Sequence, residues 1–453
     1  MKLQIIIIFI SLFGMSVYAQ NVSLTITQED LALVKETKSF SLTKGSNSVV
    51  VTNLPVTLYP KSVNFTFKDR SIKLLEHYFA NDLENTQVML GKSVGRNIRI
   101  LHPDLGTIQG KLVSVNSGIL VIEATDGELR IINDYSGFQF IIEKSTEHND
   151  LITLPSIFCI LESNSNSKVE TDISYLTSGM NWSAEYTAIL DESEKNMSLS
   201  TKAVLSNYSG KTYQDCDLVL LAGDINRGLN MRRGVAETRA HQLTGMRSMT
   251  SESDFQESEN FEYHIYSLGR QLTLENQQQK ILPLYPQQNT DISKFFNYNH
   301  QQDPTGVSVM ISVLNSAENG LGHPLPHGTV RIYKSDNDQL LILGVDNIAH
   351  TPKDEKLKIK IGKAFDIVAE RKILDRKREG KNNERMKITI DFRNRKSEDV
   401  DILVTEPITR RYDYRILSSN IEVYKKEAKQ VEFIVPVKAN QTNTLDYEIL
   451  YSW

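Results

Sequence analysis

Side chains alternate between apolar and polar along most of this chain, and that period of two confines it to sheets. Over residues 181–190, Trp182, Ala184, Tyr186, Ala188 and Leu190 alternate with Asn181, Ser183, Glu185, Thr187 and Ile189. Successive side chains of a strand point to opposite faces, so this segment reads as a strand with one buried and one wet face, Ile189 being the deviation. The pattern resumes at Met197, Leu199, Thr201, Ala203 and Leu205, after a charged turn at 191–195. It returns where Leu357, Ile359 and Ile361 alternate with Lys356, Lys358 and Lys360, and again at Val431, Phe433 and Val435 and at Leu445, Tyr447, Ile449 and Tyr451. Sheets with one wet face are characteristically antiparallel. No stretch shows a clear helical period. The fold class expected is mainly β: antiparallel sandwiches, a small SH3-like barrel inserted, and an immunoglobulin-like C-terminal sandwich.

Turn residues and composition divide the chain into regions. Residues 20–85 form an N-terminal β domain, with strands near 23–26, 33–40, 48–52 and 63–67. Residues 86–146 carry Gly91, Gly95, Gly106, Gly110, Gly118, Gly127 and Gly137 around short apolar runs. Glycines at bulges and tight corners suit a small barrel there. Residues 147–365 form a central β domain, interrupted around 226–260 by text too poor in apolar residues to offset its ordering entropy, which reads as a mobile loop. A second polar stretch, 287–302, is more aromatic, with Phe295, Phe296 and Tyr298. Residues 366–453 have the strand rhythm of the C-terminal sandwich.

Residues 1–19 carry a different signal. Lys2 precedes an apolar run from Leu3 to Phe13, and Val17-Tyr18-Ala19 places small residues before a break. That is the pattern of a secretory signal peptide, too short to span a bilayer. The chain is therefore expected to be exported, to a periplasm or to the outside of the cell, with no transmembrane segment in the mature chain. ATP and nicotinamide cofactors are poor expectations in those compartments, and no cofactor is assigned. A formal charge of −5 over 453 residues offers no basic field for nucleic acid. Cys159 and Cys216 are the only cysteines. In an exported chain they have the means to form one disulfide, but each lies in a strand-like run where a buried free thiol is equally natural.

Five sequence blocks then point in one direction. They are Ser174-Tyr175-Leu176-Thr177-Ser178-Gly179-Met180-Asn181-Trp182-Ser183-Ala184-Glu185-Tyr186, Leu221-Ala222-Gly223-Asp224-Ile225-Asn226, Phe261-Glu262-Tyr263-His264-Ile265-Tyr266-Ser267-Leu268, Leu325-Pro326-His327-Gly328-Thr329-Val330-Arg331-Ile332-Tyr333 and Ile361-Gly362-Lys363-Ala364-Phe365-Asp366. In order and spacing, over roughly the last two-thirds of the chain, they resemble the mucoidy-inhibitor-A-like family of exported bacterial proteins, a domain-of-unknown-function family. The resemblance implies an exported β-rich fold and supplies no activity and no functional residues. Many relatives carry a long coiled-coil hairpin after the N-terminal β segment. Here that place is taken by the glycine-punctuated residues 86–146.

Chemistry-bearing motifs are sparse. His323 and His327 stand four apart, but two intervening prolines argue against the helix that would aim both at a metal. Asp336-Asn337-Asp338 lacks the downstream glycine and glutamate of a calcium loop and reads as a hairpin turn. Glu185, Asp224 and Asp366 are carboxylates within the family-like blocks, and paired carboxylates hydrolyse glycosides when folding holds them at the right separation. Between 371 and 387 lies a basic run whose Gly380-Lys381-Asn382-Asn383 reads as the tip of a long hairpin. There Arg376, Lys377, Arg378 and Lys381 form a candidate contact surface for anionic polymers or an acidic partner. The leading expectation is a non-catalytic binding or scaffold protein of the bacterial cell envelope, whose partners are envelope proteins or anionic surface polymers. The alternative is a carboxylate-dependent hydrolase of envelope or surface glycans.

Overall fold

The computed structural model of the protein describes residues 21–82, 85–116, 118–142, 152–225, 254–260, 262–337, 339–408 and 413–453. The leader expected over 1–19 and most of the loop expected over 226–260 lie outside the described residues. The end of that loop is an exception, since Phe255–Asn260 is a strand.

The chain is mainly β. Strands observed at Asn21–Thr27, Ala32–Leu42, Gly45–Val51 and Asn64–Phe67 coincide with those expected near the N-terminus. The alternation does its work in Met180–Leu190, where Trp182, Ala184, Tyr186, Ala188 and Leu190 are all buried. The chain forms two compact units. One draws on Met1–Trp182, Leu205–Arg247 and Ile265–Lys280, the other on Ser183–Val204, Ser248–His264 and Ile281–Trp453.

In the first unit an eight-stranded sheet carries, side by side, Tyr213–Ala222, Asn21–Thr27, Ala32–Leu42, Ser167–Thr177 and Asn64–Phe67. Asn21–Thr27 runs parallel to Tyr213–Ala222, with Leu24 opposite Leu218, and antiparallel to Ala32–Leu42, with Leu24 opposite Val34. Ser167–Thr177 is antiparallel to Ala32–Leu42, setting Thr171 opposite Lys38 and Ile173 opposite Glu36. A three-stranded sheet has Ser156–Ser163 at its centre, between Gly45–Val51 and Lys73–Ala80.

Residues 86–142 start with a short helix that the glycine-rich text did not announce. Thr86–Lys92 is capped by Asn85, whose side chain accepts the Val88 amide at 3.0 Å, satisfying one of the free donors of a helix start. The antiparallel sheet that follows is ordered Gln139–Ile142, Asn97–His102, Gly106–Asn116, Ile119–Ala124, Leu129–Asn133. Its core gathers Leu90 of the helix with Ile98, Ile100, Leu112, Leu120 and Ile122. The SH3-like barrel is therefore corrected to an open five-stranded sheet: Gln139–Ile142 and Leu129–Asn133 are its two edges and do not pair with each other. One glycine here is dictated by space. A Cβ on Gly110 would stand 2.1 Å from the Glu123 carbonyl oxygen of the neighbouring strand.

In the second unit the largest sheet has nine strands. Its middle runs Asn383–Asn394, Lys356–Glu379, Gly306–Leu314, Ser293–Tyr298, Val400–Pro407. Lys356–Glu379 continues unbroken through residue 366. The polar stretch 287–302 belongs largely to strands, and Phe296 and Tyr298 enter this unit's core with Phe392, Phe433 and Tyr447. Three of the strand pairs are parallel within these mostly antiparallel sheets. Asn21–Thr27 with Tyr213–Ala222, Met180–Leu190 with Gly328–Asp336 and Ser293–Tyr298 with Val400–Pro407 are parallel pairs. Each joins strands far apart in sequence, where no tight turn imposes the antiparallel sense.

Trp182 is held within the first unit. It is buried, its Nε1 donates to the Leu221 carbonyl at 3.0 Å, and its ring meets Tyr266 edge-on at 5.9 Å. Trp182→Ala is expected to lower the unfolding free energy by about 3–5 kcal/mol through the cavity it leaves. Urea denaturation measures this, and a loss below about 1 kcal/mol would show that the ring is not an anchor.

Candidate functional site

The residues singled out in the sequence lie on separate elements. Glu185 lies on Met180–Leu190 and pairs with Arg331 of the parallel neighbouring strand. Asp366 is exposed on Lys356–Glu379, and its carbonyl accepts the Arg395 amide at 2.8 Å. Asp224 is exposed, follows Tyr213–Ala222, and belongs to the first unit, whereas Glu185 and Asp366 belong to the second. His323 stacks on Tyr285, and His327 accompanies His350 instead. Among the described residues no cluster of three His, Cys, Asp or Glu side chains is arranged to hold a metal. Asp336 and Asn337 stand at the expected hairpin turn; residue 338 lies outside the described residues.

The disulfide left open above is not formed. Cys159 sits in the three-stranded sheet and Cys216 in the eight-stranded one, both as free, buried thiols. Burial pushes their pKa values up, Cys159 to about 12 and Cys216 to about 11, so neither is a reactive thiolate at neutral pH.

The basic run does form a hairpin, between Lys356–Glu379 and Asn383–Asn394, but much of its charge is engaged. Arg376 donates to both Glu384 oxygens, at 2.7 and 3.2 Å. Arg378 donates to the Lys381 carbonyl at 3.0 Å, and its guanidinium lies 5.7 Å from the Trp453 ring centre. Lys377 and Lys381 are exposed and pair with no described carboxylate. These exposed pairs add little stability, and they leave a weaker positive field than the sequence suggests.

What the sequence reading missed is a buried ionic cluster in the first unit. Even-numbered side chains of Ala32–Leu42 face the core, and Glu36 and Lys38 are among them, between Val34 and Phe40. The signal was available: both charges fall in phase with the apolar face of their strand. One Glu36 oxygen accepts from Lys211 and from the Tyr175 hydroxyl; the other lies 3.6 Å from Lys38 Nζ, beyond hydrogen-bond reach. Lys38 donates to the Thr52 carbonyl at 3.0 Å, and Lys211 lies 5.0 Å over the Tyr213 ring. Burial alone drives the Glu36 carboxyl up, yet the two lysines and the Tyr175 hydroxyl outweigh it and leave the pKa lowered.

Two members of the cluster lead to a groove of about 470 Å³ built from turns, Lys38 through the Thr52 carbonyl and Lys211 as the residue after Gly210. Its apolar lining is Leu54, Val56, Leu154 and Pro155, and its polar side chains are Asn53, Asn81 and Thr153. The walls are pinned. Lys38 holds the turn at Thr52, one residue before Asn53, which takes a left-handed φ of 59°. The Val56 amide donates to the Ser209 carbonyl at 3.0 Å, and the Gly210 amide to Asn276 Oδ1 at 2.9 Å. Asn207 donates to the carbonyls of Lys211, Leu274 and Glu275 and accepts from Ser209. The Ile152 amide donates to Asp82 Oδ2 at 2.9 Å, while the Asp82 amide donates back to the Ile152 carbonyl at 3.2 Å. Gly210 has to be glycine: its φ is 86°, and a Cβ would come within 2.7 Å of Val56 Cγ2.

Two other features have polar groups that are already engaged. A groove of about 350 Å³ in the second unit includes Asp291, Ser316 and Asn319, but Asn319 already donates to the Asp291 and Leu314 carbonyls. Glu406 is buried, accepts from Arg371 at 3.0 Å, and lies 3.3 Å from His300 Nδ1. Burial pushes its carboxyl up, and His300 and Arg371 more than reverse that.

Residues 171–453 match a family described as a domain of unknown function, DUF4139. The chain belongs to the DUF4139 family. The match does not extend to the narrower mucoidy-inhibitor-A-like label, and no curated protein matches the chain. Tyr175, Lys211 and Tyr213 lie within the DUF4139 match, whereas Glu36, Lys38 and the groove residues Asn53, Asn81 and Thr153 precede it. The buried cluster thus ties the DUF4139 segment to the N-terminal strands.

Glu36 dictates an acid response. A carboxyl whose folded pKa lies below its ordinary 4.5 stabilises the fold above that pH, and the contribution is lost as pH falls through the folded value. Glu36→Gln leaves Lys38 and Lys211 uncompensated and is expected to cost about 3–5 kcal/mol at pH 7. Denaturation at pH 7 and below pH 4.5 should show wild type losing more stability than the variant on acidification. Parallel curves would remove Glu36 from this role.

Proposed function

We propose that this DUF4139 protein is exported and acts in the bacterial cell envelope by binding, as a scaffold or recognition module. The observation that carries this reading is the groove of the first unit, walled by turns fixed through main-chain hydrogen bonds. Such preformed concavities hold a ligand without an ordering cost. Its described lining offers amides, a hydroxyl and apolar surface, which recognise but do not transfer protons. Side chains of the family-like blocks support the same reading. Tyr175, Trp182 and Tyr186 are buried, and the Tyr186 hydroxyl donates to the Pro326 carbonyl at 2.7 Å, a structural use. The apolar leader over residues 1–19 supports export. No helix of the described residues is long and apolar enough to cross a membrane.

Cell fractionation followed by incubation of the purified mature chain with isolated envelopes tests this reading. The expected outcome is recovery outside the cytoplasm without residues 1–19, and retention on the envelopes with no release of reducing sugar ends. A cytoplasmic chain that keeps its leader, or steady release of reducing ends, would replace this reading, the latter with the hydrolase.

A further inference from the structure

We propose that the groove of the first unit is a binding site for a neutral saccharide. The inference deepens the binding role above and rests on it.

Three observations select that chemistry. The first is charge. Among the described residues no ionisable side chain lines the groove, and the charges beside its lining are buried and engaged: Lys211 with Glu36, Lys38 with the Thr52 carbonyl, and Asp82 with the Ile152 amide. An anionic polymer gains nothing there. The second is the free polar inventory. The side chains of Asn53, Asn81 and Thr153 make no hydrogen bond within the described residues, and each can both donate and accept. Paired donors and acceptors are what neighbouring sugar hydroxyls require. The third is the apolar surface beside them. Leu154 is 59% exposed and Val56 52%, an amount of open aliphatic surface that suits the C–H face of a pyranose ring.

An extended peptide fits less well. Peptides laid on β proteins are held by main-chain pairing with a strand edge. This groove is walled by turns at 52–56, 81–82, 153–155 and 209–210, not by a strand edge. The buried cluster has a positioning role in this scheme: Lys38 sets the turn that presents Asn53, and Lys211 follows Gly210, whose turn is hydrogen-bonded to Val56 through Ser209.

The test uses the full mature chain in isothermal titration. The probes are neutral glucan and galactan oligosaccharides, polygalacturonate, and an uncharged extended peptide. Asn81→Leu and Thr153→Val keep the shape and remove the hydrogen bonds. Leu154→Asp places a charge on the apolar rim. Binding of at least one neutral oligosaccharide is expected, unchanged between roughly 50 and 500 mM salt. Each variant should weaken it about tenfold or more, near 1.4 kcal/mol, with no change in the urea midpoint. Failure of every neutral oligosaccharide to bind, equal binding by the variants, or preference for polygalacturonate or the peptide would overturn the saccharide site. If the variants nevertheless remain on isolated envelopes as wild type does, the binding role stands and only the groove falls. If wild type itself is not retained, the role falls with it.

Discussion

The first unit depends on a carboxylate that has no water. Glu36 is 1% exposed, on the core face of its strand, and taking such an ion from water costs several kcal/mol. That cost is met only because Lys211 and the Tyr175 hydroxyl, from separate segments of the chain, and Lys38, two residues along the same strand, converge on it. Removing any partner leaves charge stranded in a low dielectric, so the cluster specifies one arrangement of strands and excludes slipped ones. A slip of one residue along Ala32–Leu42 would turn Glu36 and Lys38 to the opposite face.

The same cluster connects fold to site. Through the Thr52 carbonyl, Lys38 fixes a turn that lines the groove, and Lys211 follows Gly210, another lining residue. Among the described residues the polar side chains of the groove make no hydrogen bond, while backbone groups around them are met by others. Asn207 satisfies the Lys211, Leu274 and Glu275 carbonyls, and Asp82 satisfies the Ile152 amide, without drawing on Asn53, Asn81 or Thr153. Rigid walls with unspent donors and acceptors are what separate a recognition surface from a packing defect.

Much of the fold was legible in the sequence, and the reason is local. Alternation in Met180–Leu190 named Trp182 and Tyr186 as core residues, and both are buried. The strands of residues 21–67 were likewise visible. The helix Thr86–Lys92 was not, because seven residues with two glycines' worth of neighbouring turn signals carry too little periodicity to register. Closure of the small sheet was over-read, since glycine spacing marks bulges and corners but not which edges meet. The ionic cluster was legible in principle: Glu36 and Lys38 interrupt an apolar face in phase. The groove was not, because Asn53, Asn81, Thr153 and Gly210 are distant turn residues with no shared motif.

By itself the sequence determined the class of structure, sheets with one buried face, because side-chain alternation is a property of neighbours along the chain. It also determined membership of the DUF4139 family over residues 171–453. Which strands pair was decided only in three dimensions, as when Leu24 meets Leu218 in a parallel pair. The same holds for which charges are neutralised, as when Glu36 finds Lys211, and for which turns enclose a groove. Those outcomes depend on contacts between residues separated by most of the chain, and local pattern carries no record of such distances.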